Sequence, residues 1–242
     1  MGRSRIQLYQ TNNGPCPYRD TGTWENLSFY SESLTPKSYR ALLDQGFRRS
    51  GRSVYHPVCS GCKLCLPLRV NTALYTPTRS QRRTWRKNQD VEVEVRPNFF
   101  SEEHLKLYQR YQEDWHASAI TPEDYQEFLM NSPVDTEVML YRHQGKLIGL
   151  GWVDHVEEAL SSVYFAFDPD HAHRRLGVFS LMKEVEYCQQ LGLPWLYLGF
   201  WVEDSEKMSY KSDYRPAEVL IKSEWISLET YLESPHESVL AF

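Results

Sequence analysis

The elements that follow Pro97 constrain the fold of this chain more than any other feature of its sequence. Ala159–Phe167 is an apolar strand that ends at Asp168-Pro169-Asp170, Val178–Leu191 has helical spacing, and Trp195–Phe200 is a second apolar strand. Two strands joined through a helix are parallel neighbours in one sheet, with the helix packed on its face. The sequence therefore predicts a sheet of the α/β class in this half of the chain.

Further elements surround this unit. Two helices, which start at Ser101 and Thr121, have apolar residues on one side, and Gly145 joins two strands as an antiparallel hairpin. The residues expected to face inward are Leu105, Tyr108, Tyr111 and Trp115 on the first helix and Tyr125, Phe128 and Leu129 on the second. The strands are Glu137–Arg142, Lys146–Val153 and, last in the chain, Glu218–Leu228. An antiparallel meander that leads to one parallel crossover resembles the acetyltransferase-like (GNAT) fold, so we expect an α/β (α+β) fold of that kind.

The loop before the predicted helix partly matches the Arg/Gln-x-x-Gly-x-Gly/Ala loop of the acetyltransferases. It reads Arg174-Arg175-Leu176-Gly177-Val178-Phe179 and lies at a helix N-terminus, where backbone N–H groups favour anions. Phe179 stands where the acetyltransferase loop ends on a small residue. This difference argues against coenzyme A as the ligand.

The first 95 residues have a different character. They are rich in Pro, Gly, Ser, Cys and Arg and contain one helical segment, Pro36–Gln45, which Thr35 can cap and Gly46 can end. Asp90–Val95 alternates polar and apolar residues, as a half-exposed strand does. We therefore expect a small, basic, cysteine-containing domain at residues 1–95 and a larger GNAT-like domain at residues 96–242.

Charge is distributed unevenly along the chain. Between Lys37 and Lys87 there are twelve Lys or Arg residues and one acid, a net of +11, although the whole chain has a formal net charge of −5. The other 191 residues therefore carry −16. One strongly basic part in an otherwise acidic protein is typical of a polyanionic partner, and we expect that partner to be nucleic acid. A solvated basic face is the alternative interpretation.

Two runs hold most of the basic residues. They are Phe47–Arg52 and Arg79–Lys87, the second with five basic residues and no acid in nine. A guanidinium makes bidentate contacts with phosphate and with carboxylate, so these runs fit either a nucleic acid or an acidic peptide terminus. Trp85 can stack on a base.

A third candidate site follows the predicted strand Trp195–Phe200. Residues 207–216 mix cations with phenols, and the carboxyl end of a strand is where α/β proteins often bind ligands. A solvated loop is the alternative interpretation.

Three cysteines are spaced by three residues in Cys59-Ser60-Gly61-Cys62-Lys63-Leu64-Cys65, and Cys16 is a candidate fourth. Soft thiolates this close suit zinc or an iron–sulfur cluster, and the spacing does not distinguish them. Reduced, buried cysteines are the alternative. Cys188 lies in the predicted helix and is expected in the core.

The sequence lacks membrane and export signals. No run of about 18 apolar residues occurs, and Met1–Gln7 has no apolar core of the secretory kind. We therefore expect a cytoplasmic protein without a membrane partner.

Several of these motifs, in this order, resemble the R-transferase family, which comprises the arginyl-tRNA–protein transferases and the bacterial aspartate/glutamate leucyltransferases. The matching segments are Cys16–Tyr18, Gln45–Gly51, Tyr55–Pro57 with the cysteines after it, Ser80–Arg83, Asp168–Asp170, Leu176-Gly177 and Lys207–Lys211. The length and the cysteine pattern resemble the leucyl branch more than the arginyl one. One departure is Trp115-His116, where relatives usually have Arg-His.

The resemblance implies transfer of leucine from leucyl-tRNA to proteins that begin with Asp or Glu, which creates an N-terminal degradation signal. The ester donor is already activated, so the reaction needs alignment, loss of a proton from the attacking α-amine, and no cofactor for the chemistry itself. The candidate base is Asp168 or His116, or a tRNA hydroxyl relays the proton, and backbone N–H groups near Gly199 would polarise the carbonyl.

The remaining expected site residues are binding residues. Candidates for the acceptor are Arg82, Arg83, Lys207, Tyr210, Lys211 and Arg215. Candidates for the tRNA are Arg48, Arg49, Arg79, Arg86 and Lys87.

Three other functions remain open from sequence. An arginyl-tRNA donor is compatible with the same motifs. An acyl-CoA N-acetyltransferase shares the fold, although Phe179 and the basic cysteine-containing part speak against it. A non-catalytic, metal-dependent RNA-binding module would bind tRNA without turnover.

Overall fold

A computed structural model describes residues 7–233; residues 1–6, on which the prediction of no export signal partly rested, and residues 234–242 lie outside it. The strands are β1 Tyr9–Pro15, β2 Thr23–Tyr30, β3 Arg48–Ser50, β4 Ser53–Pro57, β5 Leu66–Asn71, β6 Val91–Pro97, β7 Thr136–His143, β8 Lys146–Val156, β9 Ala159–Phe167, β10 Trp195–Trp201, β11 Ala217–Ile221 and β12 Glu224–Ser227. The helices are α1 Pro36–Leu43, α2 Arg79–Lys87, α3 Glu102–His116, α4 Pro122–Tyr125, α5 Leu176–Gln190 and α6 Leu228–Glu233.

The strands form two sheets. The small sheet has the order β1-β2-β4-β3 and is antiparallel throughout. The large sheet has the order β12-β11-β5-β10-β9-β8-β7-β6. Its only parallel pairing among the described residues is between β9 and β10, and α5 connects these two strands. The predicted α/β fold, with a meander that leads to one parallel crossover, is confirmed.

Helices cover both faces of the large sheet. Successive residues of β7 alternate between the faces, because Val138 and Leu140 pack with α3 and α4 whereas Met139 and Tyr141 pack with α5. The helix starts follow the predicted capping signals: Thr35 caps α1 and Thr121 caps α4. None of the described helices is long and apolar enough to cross a membrane.

The residues that form each sheet do not follow the predicted domain boundary. The boundary between residues 95 and 96 falls inside β6, and both β5 and β6 belong to the large sheet. The change of sheet comes earlier, between β4 and β5. Composition led to the later boundary because the basic, cysteine-containing character of the chain continues through β5 and α2.

Three predicted details are wrong. The predicted last strand is two strands, since Lys222 and Ser223 both have positive φ and form a tight turn between β11 and β12. Trp115, predicted to face inward, is 52% exposed at the last turn of α3. Helix α2 was missed because few of its residues are apolar.

Candidate active site

The central feature of the large sheet is a gap between its two parallel strands. Their pairing runs from Trp195 and Ala159 to Tyr197 and Ser161 and then stops, although both strands continue. Residues 162–165 are only half-buried in the middle of an eight-stranded sheet. We call the region between residues 162–167 of β9 and residues 199–201 of β10, where the two strands are no longer paired, the strand gap.

Arg48, from β3 of the small sheet, reaches into the strand gap. Its guanidinium donates to Ser161 Oγ at 2.8 Å and to the carbonyl oxygen of Ser162, which would otherwise face β10. On the other side it contacts Gly199, where a Cβ would lie 3.2 Å from Arg48 Nε. Gly199 has a φ of +78°, at a point where β10 shifts register against β5. The glycine thus allows a buried cation to lie against both strands.

Lys211 enters the same space from the 3-10 turn Ser209–Asp213, which follows β10. The side chain is buried, and Nζ donates to the carbonyl oxygen of Phe200 at 2.8 Å. Burial and the charge of Arg48 lower the pKa of Lys211 to about 7, against the opposing effects of Cys65 and Glu184. The strand gap therefore holds two buried cationic side chains.

Glu184 of α5 is the acidic group that faces these cations. It is completely buried, and neither carboxylate oxygen has a hydrogen-bond partner within residues 7–233. Burial raises the pKa of Glu184 to about 8, although Ser162, Arg48 and Lys211 each act to lower it. The Ser162 hydroxyl is close enough to affect this pKa without completing a hydrogen bond. The sequence carried a signal for this residue that was missed: Glu184 shares the apolar side of α5 with Leu181 and Cys188.

The mouth of the strand gap lies between the end of α3 and the segment that follows β10. Tyr210 is 39% exposed, and its hydroxyl interacts with Glu184 and Tyr111, while burial raises its pKa to about 12. His116 is exposed, and partial burial of its ring together with the charge of Lys207 lowers its pKa. The structure thus brings the predicted residues His116, Lys207, Tyr210, Lys211 and Gly199 to one region.

Asp168 does not suit the role of a base. Its carboxylate pairs with Arg110 Nη1 at 2.8 Å and Lys146 Nζ at 2.7 Å, and it accepts from the backbone N–H of Asp170 at 3.1 Å. Burial alone would raise the pKa of Asp168, but the hydrogen bonds from Lys146 and Asp170 and the charge of Arg110 lower it instead. Asp168 is therefore an ion-paired cap of the turn Pro169–Arg174, and its role as a base stays a prediction that this pairing does not favour.

Arg49 was predicted to bind tRNA because it lies in a basic run, but the structure places it in the interior. It is buried and donates from Nε and Nη2 to Asp154 at 2.6 and 2.5 Å, so it cannot contact tRNA phosphates. Arg48 faces the strand gap rather than an outer surface. Neither arginine therefore lies on an outer surface that could follow a tRNA backbone.

The second basic run does form a surface. On α2, the exposed residues are Arg79, Arg82, Arg83, Arg86 and Lys87. Arg82 and Arg86 border a cavity of about 470 Å³ between α2 and α5, away from the strand gap.

Two further residues of the predicted binding set already have partners. Trp85 packs on Phe179 at 5.5 Å, with Lys183 Nζ 4.4 Å over its ring, so it is not a free stacking platform. Arg215 pairs with Glu229 at 3.2 Å. Arg82, Arg83 and Arg215 are exposed, whereas Lys211, with which they were grouped, is buried.

The four candidate metal ligands line one cavity of about 180 Å³ beside the end of β10. The backbone N–H of Glu25 donates to Cys59 Sγ at 3.4 Å. Burial, followed by the other three thiols, raises the pKa of Cys65 to about 12. No three His, Cys, Asp or Glu side chains in the described part of the chain are grouped closely enough to hold a metal ion as they stand. Four thiols in one cavity nevertheless form a donor set that suits a soft metal. Cys188 is buried in the core, as predicted.

Two family models match this chain. Residues 14–83 match the family model described as arginine-tRNA-protein transferase, N terminus, and residues 103–221 match the model described as arginine-tRNA-protein transferase, C terminus. An aspartate/glutamate leucyltransferase of Hahella chejuensis is 36% identical over 228 residues, covering 92% of this chain and 97% of that protein. One of Polynucleobacter asymbioticus is 37% identical over 234 residues, covering 92% and 94%.

Solved structures resemble this chain at much lower sequence identity. The crystal structure of FemX has a TM-score of 0.47 at 10% identity, covering 84% of this chain and 81% of that one. The C-terminal domain of a putative lysylphosphatidylglycerol synthetase from Agrobacterium fabrum has a TM-score of 0.46 at 15% identity, covering 72% and 54%.

Proposed function

This chain belongs to the arginine-tRNA-protein transferase family, and from that membership we propose that it transfers leucine from leucyl-tRNA to proteins that begin with Asp or Glu. Relatives at 36 and 37% identity, matched over nearly their whole length, are named aspartate/glutamate leucyltransferase. The product would begin with leucine, which marks it for degradation.

The observation that carries this proposal is the charge arrangement of the strand gap. An acceptor that begins with Asp or Glu brings a side-chain carboxylate and an α-ammonium. Arg48 and Lys211 are buried cations that suit the carboxylate, and Glu184 is a buried acid that suits the ammonium. A carboxylate that enters would also favour the charged form of Lys211. Buried polar groups that require their partners discriminate strongly against acceptors that lack them.

The reaction mainly requires that the acceptor amine and the donor ester are aligned. The donor ester is activated, so holding the amine against its carbonyl carbon supplies most of the acceleration. Half-buried residues 162–165 leave room for the acyl group beside β9.

We assign the tRNA to the α2 surface and the mouth of the strand gap. Arg79, Arg83 and Lys87 recur along one side of α2 and suit successive phosphates. Arg175, just before α5, donates to Ser80 of α2 at 2.7 Å, which continues the cationic surface towards the N-terminus of α5. A backbone held there can direct its acylated 3′ end into the strand gap.

We further propose that Cys16, Cys59, Cys62 and Cys65 hold zinc or an iron–sulfur cluster. Their common cavity and the N–H bond to Cys59 Sγ support this assignment. Such a centre would join the segment after β1 to the segment between β4 and β5, beside the end of β10. Protein purified without oxygen should contain metal or show iron–sulfur absorbance, and a metal-free preparation with full activity would reject the assignment.

A donor and acceptor matrix tests the proposed function. Radiolabelled leucyl-tRNA, arginyl-tRNA and acetyl-CoA are each offered with peptides that begin with Asp, Glu or Ala. We expect transfer only from leucyl-tRNA and only to the Asp and Glu peptides. Transfer from arginyl-tRNA would assign the arginyl activity, and transfer from acetyl-CoA alone would assign an acetyltransferase. Binding of tRNA without turnover would indicate an RNA-binding module.

A further inference from the structure

One buried group in the strand gap has no role in binding the acceptor carboxylate or the tRNA. Glu184 is wholly buried, and neither of its oxygens accepts a hydrogen bond from any described residue. Burial without a partner disfavours the charged form of a carboxyl group, which is why the pKa of Glu184 is raised. A side chain kept in this state is therefore suited to a partner that arrives with the substrate.

The surroundings of Glu184 come from five elements. Ser162 faces it from β9, and the charges of Arg48 and Lys211 act on it from β3 and the turn after β10. The other titratable groups that interact with it are Tyr141, Cys188, Tyr210 and Tyr214. Burial raises the pKa of each of these four groups, so at neutral pH they are neutral and cannot take a proton from an ammonium.

We propose that Glu184 accepts the proton that the acceptor α-ammonium must lose before it attacks the donor ester. This inference rests on the proposed function. An N–H bond of the ammonium breaks and its proton passes to a Glu184 oxygen. The nitrogen lone pair then forms the C–N bond with the ester carbonyl carbon, and the bond from that carbon to the ribose oxygen breaks. The ribose oxygen takes a second proton from the nitrogen, and Glu184 later returns its proton to water.

Geometry favours Glu184 over the other candidate bases. Both oxygens of Asp168 are paired with cations. His116 is exposed at the rim, whereas Glu184 lies with Arg48 and Lys211, the groups that suit the acceptor carboxylate. The pKa values of Glu184 and of the acceptor amine also match, because burial raises the pKa of Glu184 to near that of an α-amine. Transfer of a proton from the ammonium to Glu184 therefore costs little free energy.

The test is single-turnover leucine transfer to an Asp peptide by Glu184→Gln and Glu184→Met, from pH 7 to pH 9. Gln keeps the shape and Met removes the buried charge, so at least one variant should fold. Glu186→Gln is the matched control, since Glu186 lies two residues along α5 and pairs with Lys183 at 2.8 Å outside the strand gap. Binding of leucyl-tRNA by each variant is measured separately.

We expect both variants to be slower than wild type at pH 7 by on the order of 10²-fold, with leucyl-tRNA affinity unchanged. The ratio of wild-type to variant rate should fall about tenfold by pH 9, because the α-amine then arrives already neutral. A ratio that stays constant with pH would indicate a structural role and overturn the inference while leaving the proposed function intact. Absence of transfer by the wild-type protein would overturn both.

Discussion

Arg49 and Asp154 form a fully buried, bidentate ion pair that joins the small sheet to the large one. Arg49 Nη2 and Nε lie 2.5 and 2.6 Å from the two carboxylate oxygens, and both side chains are almost wholly excluded from solvent. Thr136 and Tyr39 donate to the same carboxylate at 2.7 and 3.2 Å. This pair fixes β3 against β8, and thereby fixes the neighbouring Arg48 in the strand gap.

We expect Arg49→Ala to lower the free energy of unfolding by about 3–5 kcal/mol, because Asp154 would remain buried without its cation. Urea denaturation followed by tryptophan fluorescence measures the change. Arg52→Ala is the matched control from the same β3–β4 hairpin, since solvent screens its pair with Glu32 and the loss of that pair should change stability little. Equal losses in the two variants would contradict a structural role for Arg49.

Gly199→Ala should reduce leucine transfer at least tenfold. Its Cβ would lie 3.2 Å from Arg48 Nε, so the guanidinium must move, and the left-handed backbone adds about 1–2 kcal/mol of strain. Gly192→Ala is the control, because Gly192 has a φ of +69° with open space around it. Both variants should lose a similar amount of stability, but Gly192→Ala should still transfer leucine at the wild-type rate. An equal loss of transfer in Gly192→Ala would mean that backbone strain alone explains the effect of Gly199→Ala.

The periodic parts of this fold could be predicted from sequence. The capped helices α1, α3 and α4, the β7–β8 hairpin and the β9–α5–β10 unit all carry local signals, and the structure contains them. Helix α2 also carried one, the capping box formed by Thr78 and Gln81, but its interior is too polar to show an apolar stripe.

The candidate site was less predictable, because its parts come from distant segments. Burial of Arg49 depends on Asp154, 105 residues along the chain. A run such as Phe47–Arg52 therefore resembles a surface cluster until its partners are known. Lys211 was assigned to the acceptor from the family motif, and the structure places it with Arg48 and Glu184 in a way that no local pattern reveals.

Lys211→Met should lower kcat/KM for Asp- and Glu-starting peptides roughly 10–100-fold, because a charge-assisted hydrogen bond to the acceptor carboxylate is lost. Leucyl-tRNA affinity should stay within about twofold, since Lys211 is buried away from the α2 surface. Peptide kinetics and filter binding measure the two effects. Lys222→Met, at the exposed turn between β11 and β12, is the control. Parallel loss of tRNA affinity would reject the assignment of Lys211 to the acceptor.

Asp168→Asn should destabilise the protein by about 1 kcal/mol at pH 7 and leave the pH profile of transfer unchanged, because only partly exposed ion pairs are lost. The pKa of Asp168 is lowered by folding, so its stabilisation is complete above the unfolded value of about 3.9 and disappears as the pH falls through the folded value. The difference in unfolding free energy between the two proteins should therefore shrink as the pH falls below about 4. A transfer profile that flattens in the variant would restore Asp168 as a base.

The double variant Arg79→Gln, Arg83→Gln should weaken leucyl-tRNA binding and reduce its salt dependence, since each arginine that neutralises a phosphate releases a counterion. The slope of log affinity against log salt should decrease by about 1.5–2. Lys37→Gln with Lys106→Gln is the matched control, which removes the same charge from exposed helix positions on the opposite face of the large sheet. An equal change of slope in the control would mean that net charge, and not the α2 surface, governs tRNA binding. At saturating leucyl-tRNA the α2 variant should transfer leucine at the wild-type rate, because the charges of the strand gap remain in place.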